Sequence, residues 1–430
     1  MEAGVFKEEV YLKESISIED QVTKNESKVE LHGPEDYLLD GTLRRPHMEW
    51  WRTVFLILGD ILGTGILAIP SGMASMGWLL GTLFLVVMCG IFIYCGLLLY
   101  KMRLMFPHIR TYGDLGRQVY GKWGEWAVYL IQYTSLFLVL PVYLLVASTA
   151  LRDTVSPNSC LIIWMFVNSG ILILFMQTRT LRFMAWYSLV GTIAICVTLV
   201  IAIVQIIIDA FSSNTHGQLI SSGGFENGLV GSGDIIFAYS GIYVFIEFMD
   251  EMKQPQDFSK AIYTANIFTF FRLHHRWNTW LRVKRIANGF LWLHVLVAFV
   301  VHALVFNRAV AVRFCKKYVD DFHLKGLLAW FTVTFVSTGL SLLLNIFFPY
   351  LSDIESLGGT LFSPITGFLY PNLFYWKCTG STMSTKRKLF GWFILAVFGI
   401  GYTILGTYGT IYSMVQNVGA SPLLYKCLSS

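Results

Sequence analysis

Charge is scarce in this chain. Asp, Glu, Lys and Arg make up 14% of its 430 residues, against 55% hydrophobic residues, and the mean hydropathy is +0.58. That is more apolar surface than one water-soluble core can bury, so the composition excludes a soluble domain and leaves a polytopic membrane protein. Acidic residues are concentrated at one end. Residues 1 to 40 hold eleven of the 27 Asp and Glu against four Lys, a balance of 4 − 11 = −7, and the remainder is basic. Residues 1–47 are therefore expected to form an acidic, disordered tail on the cytosolic side. This tail lacks the short apolar core of a cleavable leader; the first long apolar stretch is flanked by Arg44, Arg45 and Arg52 and is expected to stay in the mature chain. Cysteine is sparse as well. None of the seven has metal-ligand spacing, so no metal is expected, and Cys160 and Cys427, near the expected outer ends, leave one disulfide open.

What is present is a series of apolar runs long enough to cross a bilayer, each about 20 residues. The first starts at Trp50; others cover 77–100, 124–150, 160–176, 184–208, 232–248, 286–306, 326–350, 357–376 and 389–412, giving about 10 spans over 48–415 with a short C-terminal tail, 416–430. Lys101, Arg103, Arg110, Arg117 and Lys122 lie between the second and third, and Arg179 and Arg182 between the fourth and fifth. The linker 209–231 has no Lys or Arg. These biases place the N-terminus in the cytosol of a multi-pass integral membrane protein, and leave the choice between plasma membrane and vacuolar or other endomembrane open. The rule then fails once. The span from Ile286 follows a basic segment (Arg272, Arg276, Arg282, Lys284, Arg285) and ends in another (Arg313, Lys316, Lys317, Lys325). One crossing cannot leave both flanks inside, so either a crossing is missing between Ala261 and Asn288 or the first basic segment is forced outward. The apolar group AIYTANIFTFF is too short to span, and residues 262–286 are expected to be irregular, re-entrant or the scar of an absent helix. The basic stretch 272–285, with Trp277 and Trp280, suits anionic lipid contact and not nucleic acid.

Two spans carry residues that a plain anchor would not. In GDILGTGILAIP, Asp60 is a carboxylate at membrane depth, which costs roughly 2.5–3.5 kcal/mol unless it faces protein or water. Gly63, Thr64 and Gly65 then permit unwinding before Pro70. In the sixth span Ala238, Tyr239, Ser240 and Gly241 interrupt a hydrophobic stretch, and Glu247 lies farther along. Two broken helices five spans apart fit an inverted five-plus-five repeat whose half-helix ends converge on a central cavity. Half-helix N-termini favour a carboxylate, and unwound carbonyls favour an ammonium, so a zwitterion satisfies both.

These residues resemble a known group. GTGILAIP, the pair Gly77 and Trp78, FAYSG at Phe237 to Gly241 followed by Glu247 and MKQPQDFSKAI, and ANGFLWLHVLVAF from Ala287 to Phe299 are together similar to the amino acid/auxin permease family of the amino acid, polyamine and organocation superfamily. The resemblance covers roughly residues 48–415. It implies an all-α, LeuT-like fold with broken first and sixth helices, usually eleven spans, and amino acid movement coupled to protons or, in some branches, sodium. It also implies that the backbone of Gly63, Thr64 and Gly65 holds the substrate carboxylate. In the family a seventh span would lie between Ile262 and Trp280, and here only IYTANIFTFFRLHHRWNTW is present.

Each site residue has a plainer reading beside the functional one. Gly63, Thr64 and Gly65 suit close helix packing, and Phe237 and Tyr239 suit either a gate or a core. Asp60 and Glu247 are read as coupling and gating groups, or as static partners of buried donors. His294 and His302, eight apart, suit a proton relay or hydrogen-bonded packing. The run LWLHVLVAFVVHALVF offers no Ser or Thr to a sodium ion, which favours the proton. Pro141 is expected to kink the third span, with Tyr133 lining the cavity. The leading function is secondary active transport of a small neutral amino acid by alternating access, without a cofactor. The alternatives are a non-transporting amino acid sensor and an inactive splice or gene-model variant. An intramembrane enzyme lacks a nucleophile or metal set beside the histidines.

Overall fold

The computed structural model describes residues 37–39, 42–44, 48–61, 65–177, 186–198, 201, 224–271, 281–315, 323–347, 356–380 and 382–416. The chain divides into two units, Met1–His47 and Met48–Ser430. In the first, β1 (Tyr37–Leu39) and β2 (Thr42–Arg44) pair antiparallel with Leu38 opposite Leu43, so the tail expected to be disordered carries a small hairpin.

The second unit is helical. Its elements are α1 (Trp50–Ile61), α2 (Gly65–Met76), α3 (Trp78–Met105), α4 (Tyr112–Val155), α5 (Leu161–Phe175) and α6 (Trp186–Thr198). There follow α7 (Gly224–Ala238), α8 (Phe245–Asp250), α9 (Phe258–Phe271), α10 (Leu281–Phe314), α11 (Leu324–Phe347), α12 (Tyr370–Thr379), α13 (Thr385–Ile394) and α14 (Tyr402–Gln416). Among the described residues six helical stretches are long and apolar enough to cross a membrane. α4 opens on a reciprocal cap: the Thr111 hydroxyl accepts from the Asp114 N–H, and the Asp114 carboxylate accepts from the Thr111 N–H, satisfying two of the free donors of a first turn.

The expected kink at Pro141 is corrected. Backbone angles inside α4 leave the helical range only at Gly121 (φ 68°), a conformation that only a residue without a Cβ adopts readily. Pro141 stays within the helix, and its carbonyl accepts from Asn345 Nδ2 at 2.8 Å.

α4 and α10 run antiparallel along most of their length. Trp126 lies under Arg313, Phe137 meets Phe306 and Tyr143 meets His302, and the Thr154 hydroxyl reaches the Arg285 carbonyl at 3.4 Å. Arg285 is thus on the Val155 face of the bundle. The start of α9 is on the opposite face: the Tyr100 hydroxyl donates to the Gln256 carbonyl at 2.8 Å, near the end of α3. The chain therefore changes face between Phe258 and Arg285, and the basic flank before Ile286 is the one displaced. α9 is a regular 14-residue helix, which corrects the expectation of an irregular segment as far as Phe271; residues 272–280 lie outside the described residues. Cys160 is disulfide-bonded, Cys89, Cys95, Cys196, Cys315 and Cys378 are free, and Cys427 lies outside the described residues.

Candidate functional site

α2 and α7 cross through glycine. A Cβ on Gly72 would strike the Gly231 carbonyl oxygen, and one on Gly231 would lie 2.7 Å from the Gly72 oxygen and from Ser75 Cβ. Small residues are what let two backbones touch inside a membrane bundle. Gly72 also faces Ile235, so residue numbers rise along α2 as they fall along α7, and the two helices are antiparallel. Gly65 begins α2 and Ala238 ends α7, each seven residues from the crossing (72 − 65 = 7; 238 − 231 = 7). The first and sixth spans therefore present these two helix ends on the same side of one contact.

At the sixth-span end the backbone changes character where the sequence places a break, and more mildly. The α-helix stops at Ala238, Tyr239 turns (φ −102°, ψ 10°), Ser240–Val244 form a 3-10 turn, and α-helix resumes at Phe245. The interruption is tightened rather than opened, and it extends through Tyr243 and Val244, beyond Gly241. Ala238 and Gly241 are buried within it, and Ser240 starts the 3-10 turn. Phe237 packs its ring on Gly358 and its Cβ against Gly359. Tyr239 is 2% exposed and stacks on Phe92 at 5.1 Å. Its hydroxyl has no partner at hydrogen-bond geometry, although the Cys89 thiol lies beside it. Of the first-span residues, Gly65 opens α2, while Gly63, Thr64 and the side chain of Asp60 lie outside the described residues.

Glu247 is held across two spans. Its Oε1 accepts from the Tyr112 N–H at 3.2 Å and from Gln132 Nε2 at 3.0 Å; Gln132 Nε2 also donates to the Tyr243 carbonyl at 2.8 Å. The other carboxylate oxygen is enclosed and has no hydrogen-bond partner. The charged or titratable groups facing it are Asp114, Tyr112, Tyr129 and Tyr133, none of them cationic. Tyr133, expected to line the cavity, stacks on Tyr129 at 5.2 Å. His294 is elsewhere in the bundle: its Nδ1 lies 2.8 Å from the Gly191 carbonyl, tying α10 to α6 and requiring that nitrogen to carry the proton. His302 makes a 2.9 Å contact to the Ala298 carbonyl in its own helix.

The lower halves of the two broken spans are also stitched together. Met48 N–H donates to the Glu251 carbonyl and Lys253 N–H to the Met48 carbonyl, a parallel bridge just before α1 and just after α8. Glu49 closes it from outside the spans, accepting from the Trp51 indole at 2.8 Å and lying 3.6 Å from Lys253 Nζ. The Trp51 hydrogen bond, and then the Lys253 charge, hold its carboxyl below the usual range.

Three polar residues escaped the sequence reading. Gln132 is a lone amide in the apolar run YLIQYTSLFLVL, and a buried amide at that depth needs partners. Asp234 accepts from the Ser356 hydroxyl at 2.6 Å, while neighbouring Ser232 pairs with the Tyr402 hydroxyl at 2.7 Å. A carboxylate inside a span is the signal that singled out Asp60, and it applied equally to Asp234.

The chain matches the family model described as transmembrane amino acid transporter protein over residues 46–274 and 273–412. It is 23% identical to the N amino acid transport system protein of Neurospora crassa over 88% of this chain and 87% of that protein. It is 23% identical to amino acid transporter AVT1I of Arabidopsis thaliana over 86% and 96%. Among solved structures it resembles Mhp1, a nucleobase-cation-symport-1 family transporter, in a closed conformation with bromovinylhydantoin bound (TM-score 0.55, 13% identity, 88% of this chain and 94% of that one). It also resembles the Eremococcus coleocola manganese transporter (TM-score 0.51, 10% identity, 93% and 94%). Both neighbours support the LeuT-like fold.

Proposed function

Since the chain belongs to the family of transmembrane amino acid transporter proteins and moves amino acids across a membrane, we propose that its cargo is a small neutral amino acid, carried by alternating access and driven by protons. The cargo would sit where α2 begins and α7 ends, its carboxylate toward the N–H groups that open α2 and its ammonium toward the carbonyls that close α7. Gly63, Thr64, Gly65 and Phe237 to Gly241 are the residues assigned to that position. No cofactor is required for such a cycle, and no enzymatic step is assigned.

One observation carries the proton reading. Glu247, on α8, is tied to the third span through Tyr112 and Gln132, and Gln132 also bonds the 3-10 turn at Tyr243; one enclosed carboxylate oxygen has no partner, and among the described residues no cation faces it. An ionised carboxylate in that setting is poorly compensated, and a proton delivered to the free oxygen neutralises it without disturbing the two donors on the other. Protonation would then weaken, without breaking, the charge-assisted hydrogen bonds that hold the third and sixth spans together, which is the step a carrier needs to couple. Asp60, in the first span, is kept as a second coupling candidate.

Uptake of radiolabelled neutral amino acids into proteoliposomes tests this directly. An imposed pH gradient should drive accumulation without sodium, and Glu247→Gln should abolish the gradient dependence while leaving exchange of labelled for unlabelled substrate. Accumulation that needs sodium and ignores the pH gradient overturns proton coupling. A sensor is the second reading, favoured by the family match meeting itself at 273–274, where the seventh span of the family is expected to be missing. Saturable binding with neither uptake nor exchange would establish it. The N-terminus is assigned to the cytosol on charge bias alone.

A further inference from the structure

A cleft lies on the face where α12 ends, formed by α3, α12 and α13. It is shallow and partly open, and is lined by Tyr94, Asn372, Tyr375, Trp376, Lys388 and Trp392. At its floor the Tyr94 hydroxyl is shut off from solvent and has no hydrogen-bond partner. A buried hydroxyl forfeits the hydrogen bond it had in water unless something supplies another. Asn372 does not supply it; its amide donates to the Phe368 carbonyl at 2.8 Å and lies 3.4 Å from Cys95 Sγ.

The rim is cationic and aromatic. Trp376 and Trp392 meet edge-on at 4.7 Å and are 38% and 46% exposed, the placement amphipathic rings take at a membrane–water boundary. Lys388 lines the cleft, Arg387 is within electrostatic range of the Tyr94 phenol, and Lys377 and Lys386 are close in sequence. From residue 356 to the C-terminus the chain has no Asp or Glu, and among the described residues none of these cations is in an ion pair. Immediately along α13, Leu389, Phe390 and Phe393 are exposed, a wall suited to hydrocarbon and not to water.

We propose that this cleft binds the headgroup of an anionic glycerophospholipid. The phosphate accepts from the Tyr94 hydroxyl and pairs with the Lys388 ammonium, and the acyl chains lie along Leu389, Phe390 and Phe393. A free phosphate would use the hydroxyl and the ammonium but leave the apolar wall uncovered. A zwitterionic lipid would carry its own cation into a rim that already has uncompensated positive charge. The site is separate from the helix breaks and does not depend on which cargo they hold.

Native mass spectrometry of the full chain released from detergent, titrated with phosphatidylglycerol or phosphatidylcholine, tests it. One phosphatidylglycerol is expected to remain bound where phosphatidylcholine does not. Lys388→Gln should weaken that binding about fivefold, the effect of one cation near a lipid surface. Tyr94→Phe, which removes one oxygen and keeps the ring against Phe390, should weaken it several-fold on its own. Because Lys388 is on the rim, its variant reads out even if the Tyr94 variant unfolds. Equal retention of phosphatidylcholine, or phosphatidylglycerol binding unchanged in both folded variants, overturns the assignment. So does displacement of the lipid by inorganic phosphate at equal concentration, which would make the site one for soluble phosphate.

Discussion

The spans Gly224–Asp250 and Thr385–Gln416 are both long and apolar, yet 94% of the apolar window of the first is buried inside the protein and 22% of that of the second. Hydropathy cannot separate them, because lipid tails are as apolar as a protein interior. What separates them is how closely other backbones can come. Along α7, Gly231 and Gly233 admit Gly72 and Gly359 to contact, and Asp234 and Ser232 are matched by Ser356 and Tyr402. Along α13 and α14, Leu389, Phe393, Ile404 and Tyr408 are exposed and offer nothing that another helix must satisfy. The central span is specified by what it lacks in bulk and by the polar groups it cannot leave unpaired; the peripheral span is tied in along one face, through Tyr402 and Thr410, and its outer face needs only to be apolar.

The strongest way to break this comparison is to put bulk into the central span. A Cβ on Gly359 would collide with the Gly233 carbonyl oxygen, so Gly359→Ala should lower stability to denaturant in detergent by about 3 kcal/mol, at the upper end of overpacking effects. Gly339→Ala in α11 meets nothing within 4 Å and should be neutral or stabilising by up to about 1 kcal/mol. Equal losses at the two positions would show that glycine contact does not define the centre.

Next in size is the polar knot. Gln132→Leu leaves the Tyr243 carbonyl and Glu247 Oε1 short of a donor, and should lower stability by about 2 kcal/mol, the range for hydrogen bonds to a charged group. Tyr239→Phe should be smaller still, within about 0.5 kcal/mol in the same unfolding assay, because its hydroxyl lacks a well-formed partner. If that hydroxyl meets cargo, KM for uptake rises about three- to tenfold with stability unchanged; an unchanged KM would place Tyr239 in the wall of the site only.

The smallest effect is expected at Glu49, whose side chain is half exposed. Its carboxyl ionises below the ordinary carboxylate range because Trp51 and Lys253 favour the charged form. The folded value is therefore depressed, so its contribution is complete above the unfolded value and is lost as pH falls through the folded one. The protection of the Met48 and Lys253 amides, relative to their intrinsic exchange at each pH, should fall on acidification below about pH 4, the usual carboxylate range, and Glu49→Gln should remove that fall.

Much of the architecture was legible because membrane spans announce themselves by length and polar punctuation. FAYSG marked the interruption of the sixth span, and the charge parity around Ile286 marked the misplaced flank that the α4–α10 pairing resolves. The inner geometry was less legible for a physical reason. Gln132 and Glu247 are 115 residues apart, and nothing local to either says that one amide will serve both a carboxylate and the Tyr243 carbonyl. Pro141 was misread in the opposite way: it stays inside the helix, its own carbonyl accepting from Asn345, while the backbone angles leave the helical range at Gly121.

The glycine crossing of α2 and α7 has a mechanical meaning. With seven residues on each side between the crossing and the helix end, each arm is about 10 Å long at 1.5 Å per residue. Rocking the pair about the Gly72–Gly231 contact by about ten degrees displaces each tip by about 2 Å on the same rise, and because the arms match, the space between the tips opens or shuts evenly from both walls. A pivot made mostly of backbone, with only the Ser75 and Ile235 side chains beside it, would let such a motion occur while the two helices stay in touch.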